Sequence, residues 1–277
     1  MHRIALLALS LAACGAPPAA ATPAPAAETF VDAQTGERVP FEAMVAQLQD
    51  ARVVYVGERH DDAADHAVQL RVARALAGDD LALGFEMFQR PYQSALDAYV
   101  AEEIDEPELL ARTEWETRWG FDFGLYRDLV QLGRETGAPL VALNAPRELT
   151  RRVAREGLDA LDEETRAGLP ELDLEAADHR AMFDAAMTGH PGMDDAMRDR
   201  FYAAQVIWDE TMAESVARWL DGRGGRVIVF AGVMHVRLPA IPARAARRGA
   251  APYAIVLPVT ADELAESRAH ADFLVVR

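Results

Sequence analysis

The sequence contains no lysine: all 28 basic residues among its 277 are arginines. This absence excludes a P-loop nucleotide site and a lysine Schiff base, because both need the lysine amine. Serine occurs only at positions 10, 94, 215 and 267, and none of these stands in a Gly-x-Ser-x-Gly elbow, which argues against an ordinary serine hydrolase. The side chains that remain for chemistry are those of His, Asp, Glu, Tyr, Asn and Arg.

Cysteine is almost absent as well, and Cys14 is the single one. Disulfides, thiolate zinc sites and c-type haem attachment are therefore excluded. Cys14 follows a positively charged start and the apolar run Ile4–Leu11, which is too short to span a bilayer, and Leu11–Cys14 resembles the lipobox of bacterial lipoproteins. We predict a signal peptide over 1–13, lipidation of Cys14 and an unpacked tether over 14–29. The alternative is a plain secretory signal with a chance cysteine.

The net charge indicates which partners are excluded, and the residues around Cys14 indicate where the protein is located. The chain carries 45 acidic residues and a formal net charge of −17, so it repels phosphate backbones and we expect no nucleic-acid partner. Since no acidic residue directly follows Cys14, we expect a lipid anchor in the bacterial outer membrane, with the folded part facing the periplasm.

Four short apolar runs predict buried strands. They are Val53–Val56, Leu81–Phe85, Leu140–Leu143 and Val227–Phe230, and longer amphipathic segments separate them. Nearly continuous apolar strands are typical of a parallel sheet that is buried on both faces. We therefore predict an α/β domain over residues 30–277, with a mostly parallel central sheet flanked by helices.

Each apolar run is followed by polar side chains. Glu58 and His60 follow the first run, Glu86 the second, Asn144 the third and His235 the fourth. Parallel strands end at one edge of a sheet, where open α/β sheets bind ligands, so these groups could share a cleft. Imidazole and carboxylate suit Zn, Mn or Fe, which makes His60, Glu86 and His235 candidate metal ligands. Taken singly, each position is better explained by the polar character of strand-end loops, whereas the set as a whole favours a shared functional cleft.

The motifs around these groups resemble those of the ChaN-like haem-binding lipoprotein family, which shares a superfamily with Tiki, TraB and erythromycin-esterase-like proteins. The resemblance covers about residues 53–258 and depends on the order and spacing of short motifs. The matching segments are Gly57–His60 with His66 and Gln69, Gly84–Phe88, Trp119–Phe121 with Tyr126, Leu143–Arg147, Gln205–Ala213, Ala231–His235, and Ile241 with Pro242.

The resemblance implies haem binding in haem or iron uptake or handling. Members of the family bind haem between two subunits with a tyrosine as iron ligand, which makes a homodimer a candidate assembly. Tyr126 lies within a matching motif and is the first candidate ligand, and Tyr92 is the second. The other candidate cofactor contacts are His60, His235, Arg147 and Asn144.

The Tiki branch of the superfamily suggests a rival function. There the equivalent strand-end groups form a metal-dependent protease site, and this chain has Glu58, His60, Glu86 and His235. A metal-dependent hydrolase that uses these four as catalytic residues is therefore the alternative to haem binding. A third possibility is a scaffold whose cleft binds neither metal nor haem.

The segment of about residues 150–220 has apolar residues at helical spacing and predicts a helical insertion on the sheet. Asp209 lies beside the apolar face of its longest helix, where we expect it to cap a helix or pair with an arginine such as Arg147. The methionines of this segment favour either packing inside a helical hairpin or a lid over a porphyrin. They are Met182, Met187, Met193 and Met197.

Overall fold

The computed structural model describes residues 28–188 and 194–277, and within these ranges the chain forms one sheet of eight strands with helices on both faces. The strands are β1 (Thr29–Asp32), β2 (Arg38–Val39), β3 (Val53–Glu58), β4 (Leu81–Gln89), β5 (Leu140–Asn144), β6 (Arg226–Gly232), β7 (Tyr253–Val259) and β8 (Phe273–Val276). Their order is β2-β1-β8-β7-β3-β6-β4-β5. All neighbours from β8 to β5 pair in parallel, whereas β1 and β2 add antiparallel. The predicted α/β fold with a mostly parallel sheet is confirmed.

Both faces of the central strands are buried. Val54 and Val56 of β3 belong to the apolar core on one face, and Val53 and Tyr55 belong to the core on the other. Successive side chains of a strand point to opposite faces, so a doubly covered strand needs apolar residues at every position. This explains the continuous apolar runs in the sequence.

Thirteen α-helices are present within the described ranges. They are α1 (Phe41–Leu48), α2 (Ala63–Ala75), α3 (Gln93–Val100), α4 (Glu106–Arg112), α5 (Trp115–Arg118), α6 (Arg127–Thr136), α7 (Arg147–Glu156), α8 (Glu163–Ala167), α9 (Ala177–Ala186), α10 (Asp195–Arg223), α11 (Val233–Val236), α12 (Ile241–Arg247) and α13 (Leu264–Ser267). Short 3₁₀ helices cover Arg90–Tyr92, Phe123–Leu125, Leu158–Ala160 and Arg268–His270. Helices α1 to α6 contribute to the core on one face, and α10 to α12 contribute to the core on the other. None of these helices combines the length and the apolar character needed to cross a bilayer.

The helical insertion predicted over about 150–220 is present as α7 to α10, which connect β5 to β6. Helix α10 has 29 residues, and the Asp194 carboxylate caps its start by accepting from the backbone N–H of Met197. The insertion has apolar clusters of its own, one of them formed by Phe183, Tyr202 and Val206. Helix α9 is therefore held to α10 as well as to its chain neighbours.

The strands that carry the predicted site residues are neighbours in the order β3-β6-β4-β5. Their carboxyl ends consequently lie side by side at one edge of the sheet. The strand predicted to end before Glu86 in fact continues to Gln89, which pairs with Asn144 of β5 after a register shift between Phe85 and Gln89. Glu86 thus lies inside β4, and its side chain is fixed by a strand instead of a loop.

Candidate functional site

A cleft with a volume of about 370 Å³ lies at the carboxyl edge of β3, β4, β5 and β6. Five of the residues predicted for the site line it, namely His60, Glu86, Asn144, Arg147 and His235. The other lining residues are Met87, Gln89, Arg118, Trp119, Ala145, Arg151 and Trp208. The prediction that residues far apart in the chain share one cleft is therefore matched by the geometry.

His60 is oriented by the buried carboxylate of Glu58. Glu58 Oε1 accepts from His60 Nδ1 at 2.8 Å and from the Tyr126 hydroxyl at 2.9 Å, and Oε2 accepts from Gln69 Nε2 at 2.9 Å. Burial disfavours the imidazolium, but the hydrogen bond to Glu58 and the charge of Glu86 outweigh it, so the pKa of His60 is raised. With Nδ1 engaged, Nε2 is the ring atom left to face the cleft.

His235 is oriented in the same way by Asp209 of α10. Asp209 is fully buried, and its two oxygens accept from His235 Nδ1 at 2.5 Å and from His179 Nε2 at 2.7 Å. The other nitrogen of His235 lies 3.3 Å from Glu86 Oε1. Burial disfavours a charged imidazole, but Glu86 and Asp209 together raise the pKa of His235 to about 9. Burial alone would raise the pKa of Asp209, but the charge of His235 and the hydrogen bond from His179 hold it below the usual range.

The two histidine–carboxylate pairs meet at Glu86 and Gly232. Glu86 Oε2 accepts from the backbone N–H of Gly232 at 2.7 Å. A Cβ atom at Gly232 would lie only 2.8 Å from His60 Cε1 and 3.1 Å from His60 Nε2. Glycine is therefore required here because the imidazole ring of His60 packs directly on the backbone.

The outer walls of the cleft are aromatic and cationic. The Trp119 ring lies 4.7 Å from the His60 ring, and Phe121, which is 36% exposed, lies 5.1 Å from it. Arg118 bonds Gln89 at 3.0 Å and Glu148 at 2.9 Å. In the described part of the chain, the guanidinium groups of Arg147 and Arg151 make no ion pair and are free to meet an anion in the cleft.

A family model described as haem-binding uptake, Tiki superfamily, ChaN matches residues 44–244. The chain belongs to this ChaN family. Among solved structures, ChaN of Campylobacter jejuni with cofacially bound haem is similar over 90% of this chain and 96% of that chain, with 18% identity and a TM-score of 0.71. That likeness shows that the ChaN fold extends over nearly the whole chain.

Other solved structures are less similar to this chain, and their similarity supports no conclusion about its function. The type III effector HopBA1 has a TM-score of 0.47 and 12% identity, over 84% of this chain and 90% of that chain. An erythromycin esterase mutant in its open conformation has a TM-score of 0.45 and 15% identity, over 84% of this chain and 77% of that chain. No curated protein matches the sequence.

Within the ChaN fold of this chain, Tyr126 does not face the cleft. Its side chain is fully buried, and its hydroxyl donates to Glu58 Oε1, with the carbonyl of His60 at 3.2 Å. Burial and the charge of Glu58 raise the pKa of Tyr126. An iron ligand must be reachable, so the burial of Tyr126 favours a supporting role beneath Glu58 over iron ligation.

Tyr92 is the candidate ligand that stays accessible. It is not among the described residues that line the cleft, but it lies against Arg118, which does line it. Tyr92 is half-buried, and its hydroxyl donates to Glu114 Oε1 at 3.0 Å. The guanidinium carbon of Arg118, which lines the cleft, lies 4.9 Å from the centre of its ring. Burial and the hydrogen bond to Glu114 raise the pKa of Tyr92, and the charge of Arg118 opposes this shift.

The predicted metal set of His60, Glu86 and His235 lacks support. Over residues 28–188 and 194–277, no group of three or more His, Cys, Asp or Glu side chains is placed to hold a metal ion. The Nδ1 atoms of both histidines bond carboxylates, and the Nε2 atom of His235 faces Glu86. The metal-dependent hydrolase that would use these residues with Glu58 is therefore unsupported as well.

Asn144 lines the cleft, and both ends of its amide hold the sheet edge together. Its Nδ2 atom donates to the carbonyl of Glu86 at 2.9 Å, and its Oδ1 atom accepts from the N–H of Ala145 at 2.8 Å. Asn144 therefore braces β5 against β4, and its role as a cofactor contact stays a prediction.

The expectation for Asp209 is wrong, and of the two alternatives for the methionines the lid is unsupported. Asp209 binds two histidines, and it neither caps a helix nor pairs with Arg147. A carboxylate beside the apolar face of α10 was the available signal, because a buried charge needs a partner. Met182 lines a different groove, and Met187 packs near Phe183, so neither covers the cleft. Met197 does not line the cleft either. Cys14 and Met193 lie outside the described residues, so the predictions for them stay predictions.

We expect the stability of the folded protein to fall as the pH rises from about 6.5 to 9. The pKa of His235 is higher in the folded chain than in the unfolded one, so its stabilising contribution is complete below the unfolded value and is lost on passing the folded value. The pKa of His60 is also raised in the folded chain, so its titration lowers the stability in the same direction. Urea unfolding at pH 6, 7.5 and 9 measures the effect, and His235→Gln should flatten the dependence. An equal slope in the variant would contradict this origin.

Proposed function

We propose that this protein is a haem-binding lipoprotein of the bacterial cell envelope that functions in haem or iron uptake or handling. The observation that carries the proposal is the cleft itself, which combines two tryptophans with three arginines in a chain of net charge −17. An aromatic wall with a cationic rim suits a flat apolar ring that bears carboxylates. Membership of the haem-binding ChaN family supports the same ligand.

The size of the cleft favours a ligand that is only partly enclosed. Its volume of about 370 Å³ is near the lower end of the roughly 300–1,000 Å³ found for small-molecule pockets. A tetrapyrrole held there would keep one face open, and the exposed ring of Phe121 would border that face. We therefore propose that a second copy of the chain covers the open face in a homodimer.

The arginines of α7 would hold the carboxylates of the ligand. Arg147 and Arg151 lie one helical turn apart, and both line the cleft. Guanidinium groups form paired hydrogen bonds with carboxylates, which makes them suitable partners for propionates. Haem, when bound, would supply an iron centre, for which Tyr92 is the proposed ligand. Arg118 beside the Tyr92 ring would stabilise the tyrosinate that such a bond requires.

The proposed location follows from the first residues of the sequence. We propose that a signal peptide over 1–13 is removed, that Cys14 is lipidated and that residues 14–29 tether the domain to the outer membrane on its periplasmic side. Labelling of the bacterial lipoprotein pool with a fatty-acid probe tests this, with Cys14→Ser as the control.

Hemin titration of the full chain carrying Cys14→Ser, which cannot be lipidated, tests the function. We expect a Soret band that saturates at one haem per chain, together with a shift to the dimer in size-exclusion chromatography. The double variant Arg147→Ala, Arg151→Ala should bind hemin at least about tenfold more weakly, because charge-assisted hydrogen bonds of about 1.5–3 kcal/mol are lost. Arg155→Ala, on the same helix but outside the cleft, is the control. The proposal would be wrong if hemin produced no Soret change, or if the change were equal in all variants.

A further inference from the structure

A second groove, with a volume of about 700 Å³, lies beside the cleft and takes no part in the function proposed above. Its floor and walls are mostly apolar and come from α9, α11, α12, the segment between α11 and α12, and the residues at the end of α13 and in the 3₁₀ helix after it. The apolar lining includes Met182, Ala185, Met234, Leu238 and Pro239. Leu238 is 38% exposed, which is unusual for a large apolar side chain in this molecule.

The groove is built by one face of α9. Asp178, Ala181, Met182 and Ala185 follow the spacing of a single helical face, and all four line the groove. The opposite face of α9 carries the buried residue His179, which bonds Asp209. The groove therefore lies on the exposed face of a helix that is anchored by its other face, and small alanines leave space along it.

Arg237 is the polar group that distinguishes this groove. It is half-buried, and within the described ranges its guanidinium makes no ion pair, while its Nε atom is buried without a hydrogen-bond partner. Buried donors are usually satisfied, and a ligand with an acceptor oxygen would complete the hydrogen bonds of this guanidinium. An arginine that is partly withdrawn from water and unpaired favours an anionic ligand group.

Three carboxylates lie near Arg237, but none forms an ion pair with it within the described ranges. Asp178 and Glu266 line the groove, and the charge of Arg237 lowers the pKa of Glu263. All three carboxylates are exposed, so water screens their charges. Burial and the charge of Arg237 lower the pKa of His270, which favours its neutral form. Arg237 is therefore the one arginine among the described lining residues of the groove.

We propose that this groove binds a free amphipathic carboxylate, with the carboxylate at Arg237 and an alkyl chain along Met182, Ala185 and Met234. Methionine and alanine form an adaptable apolar surface for a flexible chain. The single arginine suits one carboxylate, whereas the haem cleft offers two unpaired arginines on α7. The two sites would therefore select different ligands.

Laurate, below its micelle concentration, is the probe, and isothermal titration calorimetry with the full Cys14→Ser chain is the measurement. We expect one laurate per chain. Arg237→Gln should weaken binding at least about tenfold by removing a charge-assisted bond. Ala185→Glu should weaken it similarly by placing a carboxylate on an exposed position of the apolar wall. Arg38→Gln, an exposed arginine on β2, should leave it unchanged.

Three results would overturn the proposal. One is the absence of laurate binding, and another is equal binding by wild type, Arg237→Gln and Ala185→Glu. The third is equally tight binding of dodecyltrimethylammonium, since the groove would then recognise only the alkyl chain.

Laurate binding in the presence of hemin distinguishes this proposal from the function proposed for the cleft. We expect laurate affinity to persist in the Arg147→Ala, Arg151→Ala variant and laurate to remain bound when hemin is added. Displacement of laurate by one equivalent of hemin would show that the groove is a haem site, and the proposal would fail. Laurate binding without any hemin binding would leave it standing while the haem function failed.

Discussion

Replacing Asp209 by asparagine is expected to lower the free energy of unfolding by about 3–5 kcal/mol, the range found when one partner of a buried ion pair is removed. Asp209 is fully buried and accepts from both His235 and His179. Without its charge, His235 loses one of the two carboxylates that stabilise its imidazolium, and the amide cannot accept from both rings with equal strength. Urea unfolding at pH 6, where the imidazolium is fully formed in wild type, measures the loss.

Asp199→Asn is the matched control for this substitution. Asp199 pairs with Arg180 at 2.9 Å, but its side chain is 64% exposed, so the change should cost less than about 1 kcal/mol. If Asp209→Asn cost no more than this control, the view that Asp209 is the charged anchor of His235 would be wrong. A second readout is the pH dependence of stability, which should flatten between about pH 6.5 and 9 in Asp209→Asn.

Tyr92→Phe is expected to remove the ligand-to-metal charge-transfer bands of the hemin complex and to weaken hemin binding at least about tenfold. The phenylalanine ring keeps the contact with Arg118 but has no oxygen to coordinate iron. Absorption and electron paramagnetic resonance spectra of the ferric complex are the measurements. A complex with wild-type spectra would assign the iron to another ligand.

Tyr126→Phe is the informative comparison because it removes the other candidate hydroxyl. That hydroxyl donates to Glu58 beneath the cleft, so its loss should destabilise the fold by about 1–2 kcal/mol and leave the charge-transfer bands in place. The opposite pattern, with bands lost in Tyr126→Phe and kept in Tyr92→Phe, would mean that the site rearranges around the buried tyrosine on binding.

The order of the sheet explains how much of the site could be predicted. Apolar runs such as Val53–Val56 predict a strand that is buried on both faces from composition alone, and the polar residue after each run indicates where the strand ends. Sequence spacing cannot give the strand order, yet the convergence of Glu58, Glu86 and His235 required only that the strands be parallel. That general rule sufficed because their strands are neighbours.

The partners of the histidines could not be predicted in the same way. Asp209 is separated from His235 by the end of α10 and the whole of β6, and only the packing of α10 on the sheet brings them together. The burial of Tyr126 likewise depends on how α6 starts against α2. Long-range packing therefore decided which motif residues face the cleft and which support it.

The bonds of Asp209 have a mechanical consequence. One carboxylate ties α9, through His179, and α11, through His235, to α10, so the insertion and the rim of the sheet share a single anchoring point. Movement of α9 away from α10 would remove His179 from the buried carboxylate of Asp209. Loss of a partner by a buried charge costs far more free energy than rotation of a surface side chain. A ligand that enters the cleft should accordingly pass between Trp119, Arg147 and Arg151, while the insertion keeps its position.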